Sequence, residues 1–331
     1  MKLNRNSKIF INYFLGPILF IWLAWSIYHQ VSKQPNLGDA WQSILLSLKS
    51  AALWYLVGAI LLMVVNWSLE AVKWKIAVRP VQDISFIKSL KAVLSGVSFS
   101  VSTPNRVGEY LGRVLYMEEG NRLKTVSLTI VSSVSQLIIT LAMGCAGLLF
   151  LRDKMTSSQL LTPVWMNVIQ YGVLIVLAAL TLFYFRLSWI VRWVNRLPGT
   201  NRFIYLVKAL ENFNATLLWQ LLSLSLVRFI VFIIQYYLLF RLFNVDIGWW
   251  PVFWSVSVSF LIMAVIPSIA IIELVQRGKV ITTLVGLYTI NELGMTFTTA
   301  GIWFINLIIP AITGSLLILG IKKLYSNESK V

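Results

Sequence analysis

The sequence predicts an all-α polytopic membrane protein. Of its 331 residues 58% are hydrophobic and only 12% are charged, whereas a soluble domain carries about 25% charge. Apolar runs that approach or exceed the ~20 residues needed by a spanning helix recur along the whole length. A mean hydropathy of +0.79 agrees.

The first run, residues 10–28, follows Lys2, Arg5 and Lys8 and lacks a small-residue cleavage site. It reads as a first span, not as a signal peptide. The second run is 51–69. The third, 125–151, is longer than the ~20 residues required, so tilt or partial interfacial placement is expected. Runs at 164–185, 215–240, 250–272, 280–300 and 301–321 complete about eight transmembrane helices in one integral-membrane domain, residues 1–331. Between the fourth and fifth runs, residues 186–213 alternate Trp, Ile and Val with Arg and include Pro198-Gly199. That pattern predicts an amphipathic helix in the cytoplasmic interface. No soluble domain fits between the spans.

A net charge of +16 in a soluble protein would suggest nucleic acid. Here the cations concentrate in alternate loops. Lys73, Lys75, Arg79, Lys88 and Lys91 follow the second run, Arg122 and Lys124 precede the third, and Lys322, Lys323 and Lys330 end the chain. The positive-inside rule explains this placement and puts both termini in the cytoplasm, across a cell (inner) membrane. Membrane lipids are the expected partners, through anionic headgroups. Nucleic acid is not expected; a second copy or a partner enzyme is left open.

One cysteine, Cys145, and one histidine, His29, stand far apart in the chain. No intrachain disulfide is available, and a His/Cys metal site or a Cys–His nucleophile is not expected. Neither a metal, a cofactor nor a catalytic residue is assigned. The phosphate-binding pattern GxxxxGK[ST] and an Asp-x-Asp pair do not occur.

The densest motif is "SFSVSTPNRVGEYLGR", residues 98–113. The apolar, hydroxyl-rich run before it, 92–103, would rise about 18 Å as a helix, short of the ~30 Å hydrocarbon core. Pro104 disfavours helix at Thr103. Positive charge flanks both sides, so residues 92–117 are expected to dip into the membrane and return. Arg106, Glu109 and Arg113 fall on one face of the returning limb, Glu109 and Arg113 at pairing distance, while Gly108 allows close backbone approach. A cytoplasmic hairpin carrying ordinary surface charge is the competing expectation. Broken helix at membrane depth requires burial in protein or a wet cavity.

Residues 251–279 echo this motif. Hydroxyl-rich apolar sequence again runs into a proline, Pro267, then Glu273 and Arg277. The Glu-to-Arg spacing is four in both copies. Repeats with Pro-interrupted short segments point to transporter binding sites, against a background of chance similarity in apolar sequence. The two motifs are expected to approach each other near the centre. Arg228, mid-span, and Glu292, beside Asn291, add ionisable groups that are costly in a membrane. Arg228 is expected to pair with Glu292 or Glu273. Ser132, Ser133, Ser135 and Gln136 form a polar stripe read as helix packing.

"STPNRVGEYLGR" together with "IPSIAIIELVQRG" resembles the flippase-like family, also called the lysylphosphatidylglycerol synthase transmembrane region family. The resemblance spans roughly residues 50–321 and is strongest at Pro104, Gly108, Glu109 and Arg113. It implies movement of amphipathic lipids between leaflets, aminoacylated phosphatidylglycerol included. By this resemblance Pro104, Arg106, Glu109, Arg113, Pro267, Glu273 and Arg277 become expected cavity residues. Bifunctional members carry a further soluble aminoacyl-transfer domain after the spans, and this chain stops at Val331; lysyl transfer is therefore not implied. The leading expectation is a lipid translocase with a phospholipid or lipid-linked headgroup as cargo, anionic or aminoacylated, and not an enzyme. A membrane-embedded glycosyl- or headgroup transferase and a non-catalytic assembly partner are the alternatives.

Overall fold

The computed structural model describes residues 52–101, 103, 107–187, 189, 210, 213–266 and 270–327, with Gln42 and Leu46. The expected first span at 10–28, most of the 186–213 segment, His29, Pro104, Arg106 and Pro267 lie outside the described residues.

Among the described residues every regular element is helical. Helix α1 is Leu53–Val78, α2 Phe86–Val101, α3 Gly108–Val114, α4 Arg122–Ser157 and α5 Pro163–Phe185. Helix α6 is Ala215–Leu242, α7 Trp249–Val265, α8 Ala270–Val285, α9 Glu292–Trp303 and α10 Ile309–Asn327. A single π-turn, Phe304–Ile308, joins α9 to α10. Among the described residues five stretches are long and apolar enough to cross a membrane: Leu53–Val78, Glu119–Ser157, Pro163–Phe185, Ala215–Leu242 and Glu292–Leu319. The protein is an all-α polytopic membrane protein.

Local chemistry sets several helix starts. Thr162 and Asn214 accept from the backbone N–H groups of Trp165 and Leu217, and Pro163 occupies the first turn of α5. Such caps satisfy donors that a helix start leaves unpaired.

Contacts along the helices give their directions. Helices α1 and α6 run antiparallel: Gln235 Nε2 donates to Ala59 O at 2.8 Å, and Arg228 Nε to Asn66 Oδ1 at 2.8 Å. Helix α4 opposes α1, with Trp74 Nε1 on Thr129 Oγ1 at 3.0 Å. It also opposes α7, since Gly144 meets Leu261 and Gly147 meets Val258.

Helices α2 and α3 form a hairpin. A Cβ added at Gly112 would lie 2.5 Å from the Gly96 Cα, and one at Gly108 would lie 2.2 Å from Phe99 O. Only glycine permits that approach. Thr103 Oγ1 accepts from Gly108 N at 2.7 Å and closes the tip. The open ends of this hairpin sit where α1 ends and α4 begins: Ser89 bonds Ala71 O, and Asn121 bonds Val81 O. This is the basic end of the molecule, with Lys75, Arg79, Lys88, Lys91, Arg122 and Lys124.

Helices α7 and α8 form the second hairpin, and it opens at the opposite end. There Lys154, late in α4, lies 4.1 Å from the centre of the Tyr288 ring, and Asn291 donates to Phe243 O and Asn244 O just beyond α6. The chain thus repeats one plan upside down. A long helix, a short hairpin and a long helix occur as α1, α2–α3, α4 and again as α6, α7–α8, α9–α10, each running opposite to its counterpart.

The expected spans differ from this plan at three places. Residues 250–272 are not one straight helix, because α7 ends at Val265 and α8 begins at Ala270. Residues 280–300 contain a break at 286–291, where Asn291 caps α9 by accepting from Gly294 N at 2.9 Å. The expected spans 280–300 and 301–321 therefore merge differently, with Glu292–Leu319 as one 28-residue stretch. Pro310 supplies the reason for its π-turn: a proline lacks N–H and crowds the carbonyl four residues earlier, here that of Asn306.

Candidate functional site

Helices α1, α3, α4, α6, α7, α8 and α9, with the π-turn, line a cavity of about 720 Å³. One side is charged and polar: Glu70 and Lys73 from α1, Glu109 from α3, Ser133 and Gln136 from α4, Arg228 from α6, and Glu273 and Arg277 from α8. The other is apolar: Phe229, Phe232, Phe260, Met263, Ala264, Val265 and Ile266. Val265 and Ile266 are exposed, so the greasy flank reaches the protein surface.

Glu70 organises the charged side. It is 5% exposed and binds three cations at once. Lys73 Nζ lies 3.0 Å from Oε2, Arg113 Nη2 donates to Oε1 at 2.8 Å, and Arg228 Nη1 donates to Oε2. Isolated buried charge costs several kcal/mol per ion, so such a group must be paired and hydrogen-bonded. Asn66 accepts from Arg228 Nε, and Gln136 Oε1 from Arg228 Nη1 at 3.4 Å. Lys73 also donates to Ser225 Oγ at 3.4 Å, and Ser225 exchanges a 2.8 Å hydrogen bond with Ser135.

Each hairpin supplies one glutamate–arginine pair from its second limb. Arg113 Nη2 binds Glu109, one turn earlier, as well as Glu70. Arg277 Nη2 binds Glu273, one turn earlier, at 2.5 Å, and its Nη1 donates to Tyr236 Oη at 3.2 Å. In both cases the arginine also reaches the long helix preceding its own hairpin, across 43 and 41 residues of chain. The inverted plan therefore extends to side-chain chemistry.

The structure brings Glu109, Arg228, Glu273 and Arg277 to one cavity and sets Arg113 directly behind Glu70 and Glu109. Pro104, Arg106 and Pro267 lie outside the described residues. Gly108 does not line the cavity; it closes the first hairpin against Phe99. Glu292 does not join the site, which corrects its expected pairing with Arg228. It is exposed in the first turn of α9, where a carboxylate complements the helix dipole. Arg228 takes Glu70 instead.

Sequence reasoning missed Glu70 and Lys73. The signal was available: Asn66, Glu70 and Lys73 are spaced i, i+4 and i+7, one face of a helix continuing past Leu69. Of the stripe Ser132, Ser133, Ser135 and Gln136, expected only to pack helices, Ser135 and Gln136 do pack against Ser225, but Ser133 and Gln136 also line the cavity, and Gln136 touches Arg228. Among the described residues no group of three or more His, Cys, Asp or Glu is placed to hold a metal ion. Chemically, the arrangement can hold a charged or polar group in its basic, hydrogen-bonding half while its apolar half accommodates hydrocarbon.

A comparison with curated proteins returns no match. The family described as lysylphosphatidylglycerol synthase TM region matches residues 13–314, most of the chain. This membrane protein belongs to that family.

Proposed function

We propose that the protein moves an amphipathic lipid between the leaflets of a cell membrane. One observation carries the reading: a single cavity joins a buried network of ionised side chains to an apolar flank ending at exposed Val265 and Ile266. A soluble substrate does not need the second half. A lipid needs both, because its headgroup requires polar partners while its chains stay in hydrocarbon.

Helices α2 and α7, with 16 and 17 residues, rise about 24–26 Å, short of the ~30 Å hydrocarbon core. Their hairpins are then re-entrant, the first from the cytoplasm and the second from outside, with the basic end and both termini cytoplasmic. Inverted repeats with broken helices meeting at a midplane site are the usual build of alternating-access carriers. Relative tilting of the two halves about the Glu70 network exposes the cavity to each leaflet in turn.

The test is headgroup accessibility of fluorescent phospholipids in sealed proteoliposomes. Accelerated exchange over protein-free vesicles is expected for at least one headgroup, with no covalent product. Exchange at the protein-free rate across anionic, zwitterionic and cationic lipids overturns the reading, and a new lipid product points to a transferase.

A further inference from the structure

We infer that the half of α8 preceding Gly278 is the moving wall of the cavity, hinged at Gly278, with Tyr236 as the positioning residue that latches Arg277. This rests on the translocase reading and names the part that moves.

The two hairpins carry the same Glu–Arg chemistry on different packing. In the first, backbone contact leaves no room for displacement. A Cβ at Gly112 would lie 2.5 Å from the Gly96 Cα, and one at Gly314, in α10, would lie 2.0 Å from Leu94 O. Ser98 Oγ donates to Ala311 O, and Ser315 Oγ donates to Ser98 Oγ at 3.2 Å. Interiors packed this closely do not deform continuously.

In the second hairpin α7 is fixed in the same way. A Cβ at Gly144 of α4 would lie 2.4 Å from the Leu261 Cβ, and one at Gly147 would lie 2.9 Å from Val258 Cγ2. Helix α8 changes along its length. After Gly278, Ile281, Leu284 and Val285 are at most 2% exposed, whereas before it Val275 is 67% exposed. Among the described residues a Cβ at Gly278 would meet nothing within 4 Å, and its φ is not left-handed. Neither close approach nor backbone sign calls for glycine there. What glycine supplies in a helix interior is conformational freedom, and it stands one residue after Arg277, where the packed turns give way to the exposed one.

Arg277 holds the exposed half in place. Its Nη1 donates to Tyr236 Oη at 3.2 Å, and its guanidinium lies 5.7 Å from the centre of the Phe260 ring on α7. Tyr236 stands 41 residues before Arg277, as Glu70 stands 43 before Arg113. The second repeat thus puts a neutral phenol where the first puts a carboxylate. Opposite charges attract across the Arg113–Glu70 contact, and a neutral phenol returns no such attraction. Glu273, the carboxylate partner of Arg277, lies on the same half of α8 and travels with it. The Tyr236 latch is therefore the contact that yields when the two halves tilt. The second hairpin opens away from the basic end, so its tip points toward that end, and displacement of residues 270–277 opens the cavity there.

The experiment measures nitroxide distances in proteoliposomes, in a Cys145→Ala background. One pair joins Val275→Cys to Trp219→Cys on α6, and the reference pair joins Leu111→Cys on α3 to Trp219→Cys; all three positions are exposed. The first pair is expected to show two distance populations and the reference pair one. Tyr236→Phe, which keeps the ring beside Phe260, is expected to raise the second population about ten-fold relative to the first, for one hydrogen bond to a charged group. Gly278→Ala favours the straight helix and is expected to lower it about five-fold, with lipid exchange slowed by a similar factor. Gly172→Ala makes the same change in α5, away from the cavity, and should leave distances and exchange unaltered. A single population for the first pair in both wild type and Tyr236→Phe overturns the moving wall, as does a second population in the reference pair. A wild-type ratio in Tyr236→Phe overturns the latch, and a wild-type ratio in Gly278→Ala overturns the hinge. Lipid exchange without the two populations leaves translocation standing and removes the moving wall; two populations without any lipid exchange do the reverse.

Discussion

Glu70 shows how one side chain can decide the chemistry of a membrane interior. Its two oxygens are shared among Lys73, Arg113 and Arg228, all buried. Glu70→Gln leaves three cations around a neutral amide, and breaking a buried pair in this way costs about 3–5 kcal/mol. Thermal unfolding in detergent is expected to shift down by several degrees; an unchanged midpoint would mean that water already neutralises these groups. Glu109 differs because its side chain is 25% exposed in the cavity. Solvent screens it, so Glu109→Gln is expected to impair lipid movement with little loss of stability. Arg113→Ala shares that defect, and the double variant falls short of additivity because the two residues act as one unit. Cys145, by contrast, only receives a hydrogen bond from Gln170 in a packed interior, and Cys145→Ala should transport normally. These assignments divide by what sequence can show. The Glu–Arg pairs were legible because four-residue spacing on a helix is a geometric fact. Glu70 was not, because the apolar run ends at Leu69 and Glu70 reads as the first charge beyond the span.

At the scale of elements, close backbone contact holds the first hairpin. Helices α2 and α3 touch through Gly96 and Gly112, with no side chain between them. Gly112→Ala puts a methyl 2.5 Å from the Gly96 backbone, and overpacking of this kind costs about 1–3 kcal/mol. Lower stability and slower lipid exchange are expected. Gly172→Ala is the control, because a Cβ there meets nothing within 4 Å; equal behaviour of the two variants would remove the contact from the argument. The short hairpin elements were legible, since a 12-residue apolar run bounded by Pro104 is too short to span. The boundary between the last expected spans was not. Apolar sequence runs almost unbroken from 280 to 321, and only the three-dimensional partners of Asn291, the carbonyls of Phe243 and Asn244, mark where the chain turns.

At the scale of the whole molecule, the inverted plan has a consequence that labelling can read. Sequence showed two similar motifs but not their opposite sense, because a short apolar hairpin carries no arrow of its own. The sense comes from which neighbours its open ends meet. The first hairpin opens near Gln82 and Glu118, which hydrogen-bond each other, and the second opens near Tyr288 and Asn291. Asp83 and Glu119 therefore mark one face; Asp246 and Ile290, the latter 97% exposed, mark the other. In a Cys145→Ala background, each of these four positions changed singly to cysteine leaves a labelling handle at an exposed site. An impermeant maleimide added outside sealed, uniformly oriented vesicles is expected to label Asp83→Cys and Glu119→Cys together or Asp246→Cys and Ile290→Cys together, never one from each pair. The excluded pair should react only after the membrane is permeabilised. With the basic end cytoplasmic, right-side-out vesicles expose Asp246→Cys and Ile290→Cys. Labelling of Ile290→Cys and Glu119→Cys from the same side would put both hairpins on one face. The paired Glu–Arg sites would then lose their two-sided relation to the cavity, and alternating access would need a different pair of moving parts.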